Sequence, residues 1–359
     1  MKTNFIAIFI AFILFGCHHP KPAIRKVWTT EQAMQWYGQQ GWLRGSNFIP
    51  STAINQLEMW QADTFDPVTI DRELGWAADI GMNCMRVFLH HVAWEIDKTG
   101  FKERINEYLT IADKHGIKTM FVFFDDCWNP TYTAGKQPDP QPGIHNSGWL
   151  RDPGDLYYKG DTAAVKSLLE TYVKDILYTF KNDTRILMWD LYNEPGGSGS
   201  YRYNERSLPL LKDIFTWARA VNPSQPLSAG IWDLSLENLN EYQLKNSDII
   251  TYHTYEPVEE HQKLINQLKQ YNRPLICTEY MARTSNSTFQ TIMPMLKAER
   301  VGAINWGLVA GKSNTIFAWD TPLPNVDEPA VWFHDIFRKS GEAYSQDEIE
   351  TIKHLTDKN

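Results

Sequence analysis

Eight short, near-continuous apolar runs recur along the chain, separated by longer amphipathic stretches, and this alternation constrains the fold more than any other feature. The runs cover residues 44–50, 83–89, 118–124, 186–192, 227–232, 249–253, 275–279 and 303–308. A strand that is apolar along its whole length, not only at every second residue, is buried on both faces, as in parallel sheets covered by helices. Repeated strand–helix units therefore predict an α/β chain closed as a (β/α)8 TIM barrel. The stretches between the runs carry helical stop signals. Ile70, Leu74, Ala77 and Ala78 share one face of 69–80 before Gly81, and Ile105, Leu109 and Ala112 share one face of 102–115 before Gly116. Residues 30–39 read as an extra helix closing the bottom of the barrel.

The starts of the third and fourth runs, Lys118 and Ile186, stand much further apart than the others. Within that interval 128–160 is rich in Pro, Gly, Asn, Asp, Trp and Tyr, which predicts a long ordered loop over one end of the sheet. No Pro/Ser linker divides the chain and no internal repeat is found. One catalytic-sized domain, 27–345, is the expectation, with 346–359 as a C-terminal tail. At the other terminus, Lys2 precedes the apolar run 5–15, which suits a secretory signal and is too short to span a bilayer. The run ends in Leu14-Phe15-Gly16-Cys17, which resembles the bacterial lipobox. That resemblance implies a signal peptide of residues 1–16, a lipid anchor on Cys17 and a location in the cell envelope. Either the periplasmic face or the outer-membrane surface is open. His18-His19-Pro20-Lys21-Pro22 continues as an extended tether over 17–26.

Composition narrows the partners. The net charge of −8 gives no attraction to a phosphate backbone, so nucleic acid is excluded as a partner. The 14 Trp, 16 Tyr and 17 Phe are numerous enough to serve both as core volume and as flat platforms. Cys84, Cys127 and Cys277 lack the spacing of a disulfide framework or zinc site and read as buried small hydrophobes. There is no Gly-x-Ser-x-Gly elbow, no His-Glu-x-x-His and no phosphate-cradling loop, so neither a metal nor another cofactor is expected, and the chain reads as a monomer.

The most informative segment is Trp189-Asp190-Leu191-Tyr192-Asn193-Glu194-Pro195, at the end of the fourth run. Barrel active sites form at C-terminal strand ends, so Glu194 is delivered to the place where chemistry happens. A second acid ends the seventh run, in Pro274-Leu275-Ile276-Cys277-Thr278-Glu279-Tyr280. With these two acids in this strand order, the chain resembles the clan A glycoside hydrolases, most closely the family 5 type of cellulases and mannanases. The resemblance implies a retaining glycosidase with a carbohydrate substrate, Glu279 as nucleophile and Glu194 as general acid/base, each helped by its own protonation state.

The same resemblance assigns supporting roles. Arg86 matches the second-strand Arg that holds the nucleophile, and Asn193 precedes the acid. His253 and Tyr255 match a sixth-strand His-x-Tyr pattern, and Trp306 an eighth-strand sugar platform. One departure is clear: where the family commonly has a third-strand His, this chain reads Asp125-Asp126-Cys127-Trp128. Asp126 reads as a loop cap or a sugar ligand. Glu58, Trp60 and Trp149 are candidate subsite residues, and Glu256 or Glu95 are alternative nucleophiles. A non-catalytic glycan-binding barrel stays open as a second class of function. So does the choice between internal cleavage and release of terminal units, furanosyl units among them.

Overall fold

The computed structural model describes residues 24–197 and 204–357; the signal segment 1–16, Cys17 and the tether as far as residue 23 lie outside the described residues. Strands β1 (Arg44–Asn47), β2 (Cys84–Phe88), β3 (Lys118–Asp125), β4 (Ile186–Asn193), β5 (Leu227–Ser228), β6 (Ile250–His253), β7 (Leu275–Glu279) and β8 (Gly302–Asn305) pair in parallel in the order β5-β4-β3-β2-β1-β8-β7-β6. The two ends of this sheet meet at a bridge between Ile231 and Tyr252. There the Ile231 N–H donates to the Thr251 carbonyl at 3.1 Å and the His253 N–H to the Ile231 carbonyl at 2.9 Å. The alternation of apolar runs and amphipathic stretches thus builds a single (β/α)8 barrel. The fifth strand is shorter than its apolar run, because only Leu227 and Ser228 ladder onto β4 before the chain leaves it to bridge β6. Gly45 lets β1 and β2 close up: a Cβ there would lie 1.7 Å from the Cys84 carbonyl oxygen.

Around the sheet run α1 (Thr30–Gln40), α2 (Gln56–Trp60), α3 (Pro67–Asp79), α4 (His91–Ile96), α5 (Lys98–Lys114), α6 (Asp155–Lys159), α7 (Thr162–Phe180), α8 (Leu208–Val221), α9 (Glu237–Asn246), α10 (Val258–Leu268), α11 (Phe289–Ala298) and α12 (Gln346–Leu355). α3 and α5 begin earlier than their apolar spacing suggests, because Asp66 and Asp97 cap the Thr69 and Gly100 N–H groups and fix the first turn. On α3, Ile70, Leu74 and Ala77 are fully buried, and a buried Ile or Leu contributes roughly 1.5–3 kcal/mol. The interior floor of the barrel is apolar, built from Leu43, Met120, Met188, Ile249, Ile276 and Ile304. Ala33, Trp36 and Tyr37 of α1 pack against it and close the bottom.

Residues 346–359, read from sequence as a tail, hold the last helix of the barrel. Ser345 caps α12, Ile349 and Ile352 are buried, and Glu348 pairs with Arg283 at 2.6 Å. The Thr356 hydroxyl then donates to the Ile80 carbonyl at 2.9 Å. The barrel therefore runs past residue 345, an extent hidden by the many charges that surround two buried isoleucines.

Candidate active site

β4 ends in Asn193, and Glu194 follows with φ +43°, a left-handed conformation uncommon outside glycine. The chain turns sharply there, and the Glu194 carboxyl comes to rest against β3 and β6. His253 Nδ1 lies 3.0 Å from Glu194 Oε1, and the Cys127 thiol donates to Oε2 at 3.0 Å. On the opposite side of the barrel mouth Glu279 ends β7. A register shift between Tyr252 and His253 aligns His253 with Glu279, the local re-aiming that a bulge produces. Arg86 Nη1 donates to Glu279 Oε1 at 2.8 Å, and the Tyr255 hydroxyl donates to Oε2 at 2.8 Å. Carboxylate oxygens of Glu194 and Glu279 lie within 4.8 Å of each other and of a His253 ring nitrogen.

Beneath the two acids lies a buried polar network. Arg86, fully buried, donates through Nε to Asp190 at 2.9 Å, through Nη2 to Asn193 at 2.7 Å and through Nη1 to Asn47 at 2.8 Å. Its fork therefore rests on Asp190 and spares one N–H for Glu279, so the guanidinium does not clasp Glu279 with both arms. Asn193 Nδ2 in turn donates to Asp125 at 2.9 Å, and the Trp149 indole donates to the same carboxyl at 2.7 Å. Asn47, Asp125 and Asp190 escaped the sequence reading. Asp190 did leave a signal, an acid inside a run apolar on both sides.

Burial governs the protonation states. It works against charge on Arg86, but Asp190 and Glu279 more than offset it and hold the guanidinium above its ordinary range. Burial raises Glu194, against the opposing hydrogen bond from Cys127 and the field of Arg86. Burial raises Glu279 as well, opposed by His253, Arg86 and the Tyr255 hydroxyl and reinforced by Glu194. Two buried carboxyls this close share charge unequally. Contact with Arg86 and Tyr255 favours the charged form of Glu279. Burial lowers His253 to about 4 and lifts Asp125 to about 7.

Above the acids opens a cleft of about 790 Å³, lined by Trp128, Trp149, Trp232, Trp306 and Trp319 together with Asn193, Glu194, His253, Tyr255 and Glu279. The seven residues singled out at strand ends, Arg86, Asn193, Glu194, His253, Tyr255, Glu279 and Trp306, thus converge on one mouth. Others do not. Trp60 is wholly buried, donates to the Phe88 carbonyl at 2.7 Å and stacks on Phe65, so it is core and not a sugar platform. Glu58 is held by Lys312 and the Ile54 N–H. Asp126 is buried and accepts from the Tyr192 hydroxyl, Ser207 hydroxyl and Gly196 N–H, a loop cap with no free oxygen for a ligand. Glu95 is exposed and outside the cleft lining, whereas Glu256 lines the outer rim. Cys127 is no inert hydrophobe: it stands where a His was looked for and touches Glu194.

The sequence profile of the family described as cellulase (glycosyl hydrolase family 5) matches residues 51–312, well over half of the chain and including both acids. The chain belongs to glycosyl hydrolase family 5. No functionally curated protein matches it significantly. Among solved structures, GH5_18 from Streptomyces cattleya in complex with GlcNAc superposes with TM-score 0.60 at 13% identity, covering 88% of this chain and 80% of that one. The endo-1,4-beta-mannanase of Rhizomucor miehei gives 0.59 at 15%, covering 88% and 94%. The beta-mannanase of the blue mussel Mytilus edulis gives 0.55 at 14%, covering 88% and 92%. At such identities the likeness is one of fold.

Among the described residues, this family 5 chain brings metal-type donors together twice. Glu194, His253 and Glu279 form one set, but the Arg86 cation already sits on Glu279 and leaves no need for a second. His90, His91 and Asp152 form the other. His90 spends its nitrogens on the Arg151 carbonyl and the Val92 N–H, and His91 Nδ1 binds Asp152 while its Nε2 is buried without a hydrogen-bond partner.

Proposed function

We propose that this family 5 protein is a retaining O-glycoside hydrolase acting on β-linked glycans by double displacement. The observation that carries the reading is that both carboxyls meet over one nitrogen, His253 Nδ1, which lies 3.0 Å from Glu194 Oε1 and 3.6 Å from Glu279 Oε1, with an oxygen of each acid within 4.8 Å of the other. A retaining site holds its carboxyls roughly 5–5.5 Å apart, whereas an inverting site spaces them by roughly 6.5–9.5 Å to admit a water. Glu279, charged and aimed by Arg86 and Tyr255, attacks the anomeric carbon. As that bond forms, the glycosidic C–O bond breaks and the leaving oxygen takes the proton of Glu194. Esterification removes the negative charge of Glu279, so Glu194, now ionised, takes a proton from water. The hydroxide attacks the anomeric carbon and frees Glu279. Trp306 underlies the sugar, and Asn193, fixed by Arg86, Asp125 and Cys127, lines the cleft beside Glu194.

Assay of wild type, Glu194→Gln and Glu279→Gln on a panel of aryl β-glycosides tests the reading. Turnover by wild type alone supports it. If all three proteins match buffer while glycan binding persists, the barrel is a lectin and the enzyme reading falls. The lipobox-like Leu14-Phe15-Gly16-Cys17 further supports a lipid-anchored envelope enzyme. Labelled palmitate should enter wild type and not Cys17→Ser; equal labelling would refute the anchor.

A further inference from the structure

We infer that the cleft is blind on one side and that the enzyme removes units from the non-reducing end of a chain, not from its interior. The inference rests on the glycosidase reading above and concerns the walls of the same site. Two loops far apart in sequence, 128–154 after β3 and 306–345 after β8, are sewn together. The Asn146 N–H donates to the Ser313 carbonyl at 2.9 Å, the Leu323 N–H to the Gly143 carbonyl at 3.0 Å, and His145 Nδ1 meets the Phe317 carbonyl at 2.7 Å. Gly143 makes this approach possible, since its φ is +76° and a Cβ would fall 1.7 Å from the Leu323 carbonyl oxygen. Both loops are also fastened to the loop after β1. Asn55 Nδ2 donates to the Gly148 carbonyl at 2.9 Å, and the Lys312 N–H donates to the Ser51 carbonyl at 3.1 Å. The loops after β1 and β2 contribute nothing to the cleft lining, and beyond the Trp149 and Trp306 rings only a hollow of about 20 Å³, too small for a sugar, is lined by Phe48, Ile49 and Phe88.

The other side differs. Among the described residues, the cleft there is bounded by Trp232, Leu234 and Glu256 after β5 and β6, with Leu234 59% exposed. The two acids fix the direction of the substrate between these sides. The Trp232 indole donates at 3.1 Å to the carbonyl of Pro195, next to Glu194. Trp306 and Trp149 pack edge-on against Phe88 of β2, on the walled side. Glu194 protonates the leaving oxygen, so the leaving chain lies toward Trp232 and the exposed Leu234. The sugar attacked by Glu279 lies toward the wall, where no further chain can follow it.

The test is a time course of the intact wild-type enzyme on a panel of β-linked hexose and pentose oligosaccharides, each labelled at the reducing end, with Glu194→Gln as control. Sizing of the labelled products should show stepwise shortening by one constant unit from the earliest points, with no shorter labelled fragment appearing ahead of longer ones. Labelled fragments of scattered length at the earliest points would overturn the blind-end inference while leaving the glycosidase reading intact. Absence of cleavage of every oligosaccharide, with wild type and Glu194→Gln alike, would overturn the glycosidase reading and the inference with it.

Discussion

The two ends of the barrel are built from the same strands but from opposite materials. At the floor, Met120, Met188, Ile276 and Ile304 point inward and α1 seals them with apolar side chains. At the mouth, one strand turn higher, the interior positions become Arg86, Asp190, Asn193 and Glu279, all buried and mutually bonded. The floor gains stability from burial. The mouth gives some of it back, because buried charges are costly unless each is paired, and in return holds two acids side by side in different surroundings. The comparison teaches that stability and chemistry are segregated along the barrel axis, so that substitutions at the two ends should have separable effects.

The largest separation is expected for the acids themselves. Glu279→Gln should abolish turnover and Glu194→Gln should lower kcat by about 10²–10⁴-fold on substrates with poor leaving groups. Glu194→Gln should leave Tm unchanged, since it exchanges a protonated carboxyl for a neutral amide, and Glu279→Gln should lower it only slightly, since Arg86 keeps Asp190 as its counter-charge; a large loss of Tm would mean that the acids are structural. Arg86→Ala breaks the comparison deliberately, because it strips the partner from Asp190 and Glu279 together. It should cost about 3–5 kcal/mol in denaturant unfolding as well as activity, and an unchanged midpoint would contradict the network. Ile304→Ala, at the floor, should cost about 2–5 kcal/mol with kcat preserved in the folded fraction. Loss of kcat without loss of stability there would show that the two ends are not independent.

The smallest effect concerns Cys127. Its thiol donates to Glu194, and that bond opposes the rise of the Glu194 pKa. Cys127→Ala should therefore raise that pKa further and move the alkaline limb of the kcat/KM profile upward, where activity fails because the acid has lost its proton. A limb that stays in place or moves down would show that the thiol does not tune the acid. Any change in the maximal rate should stay within about tenfold.

What could be read in the sequence follows the same division. The floor and strand order were legible because apolar runs report burial on both faces, and Glu194 and Glu279 were legible because they end such runs. Asp190 and Asp125 were missed although they lie in or beside the same runs, since a single polar residue within an apolar strand does not name its partner. The 128–160 loop was legible as a cover over one end of the sheet, but the joints that make it a wall were not. They depend on backbone bonds such as Asn146 to Ser313 and Leu323 to Gly143, which join segments with no shared pattern. Trp60 misled for the complementary reason: a loop position after β1 suggested exposure, but α2 folds its ring into the core.

The central claim is that Glu279 and Glu194 act in succession on one anomeric carbon at their observed separation. Following the first-formed sugar product by ¹H NMR, on an aryl β-glycoside that the wild-type enzyme cleaves, tests it most directly. The account predicts that the β-anomer appears first and only later mutarotates to the equilibrium mixture. Initial appearance of the α-anomer would mean a single displacement by water and would contradict the account.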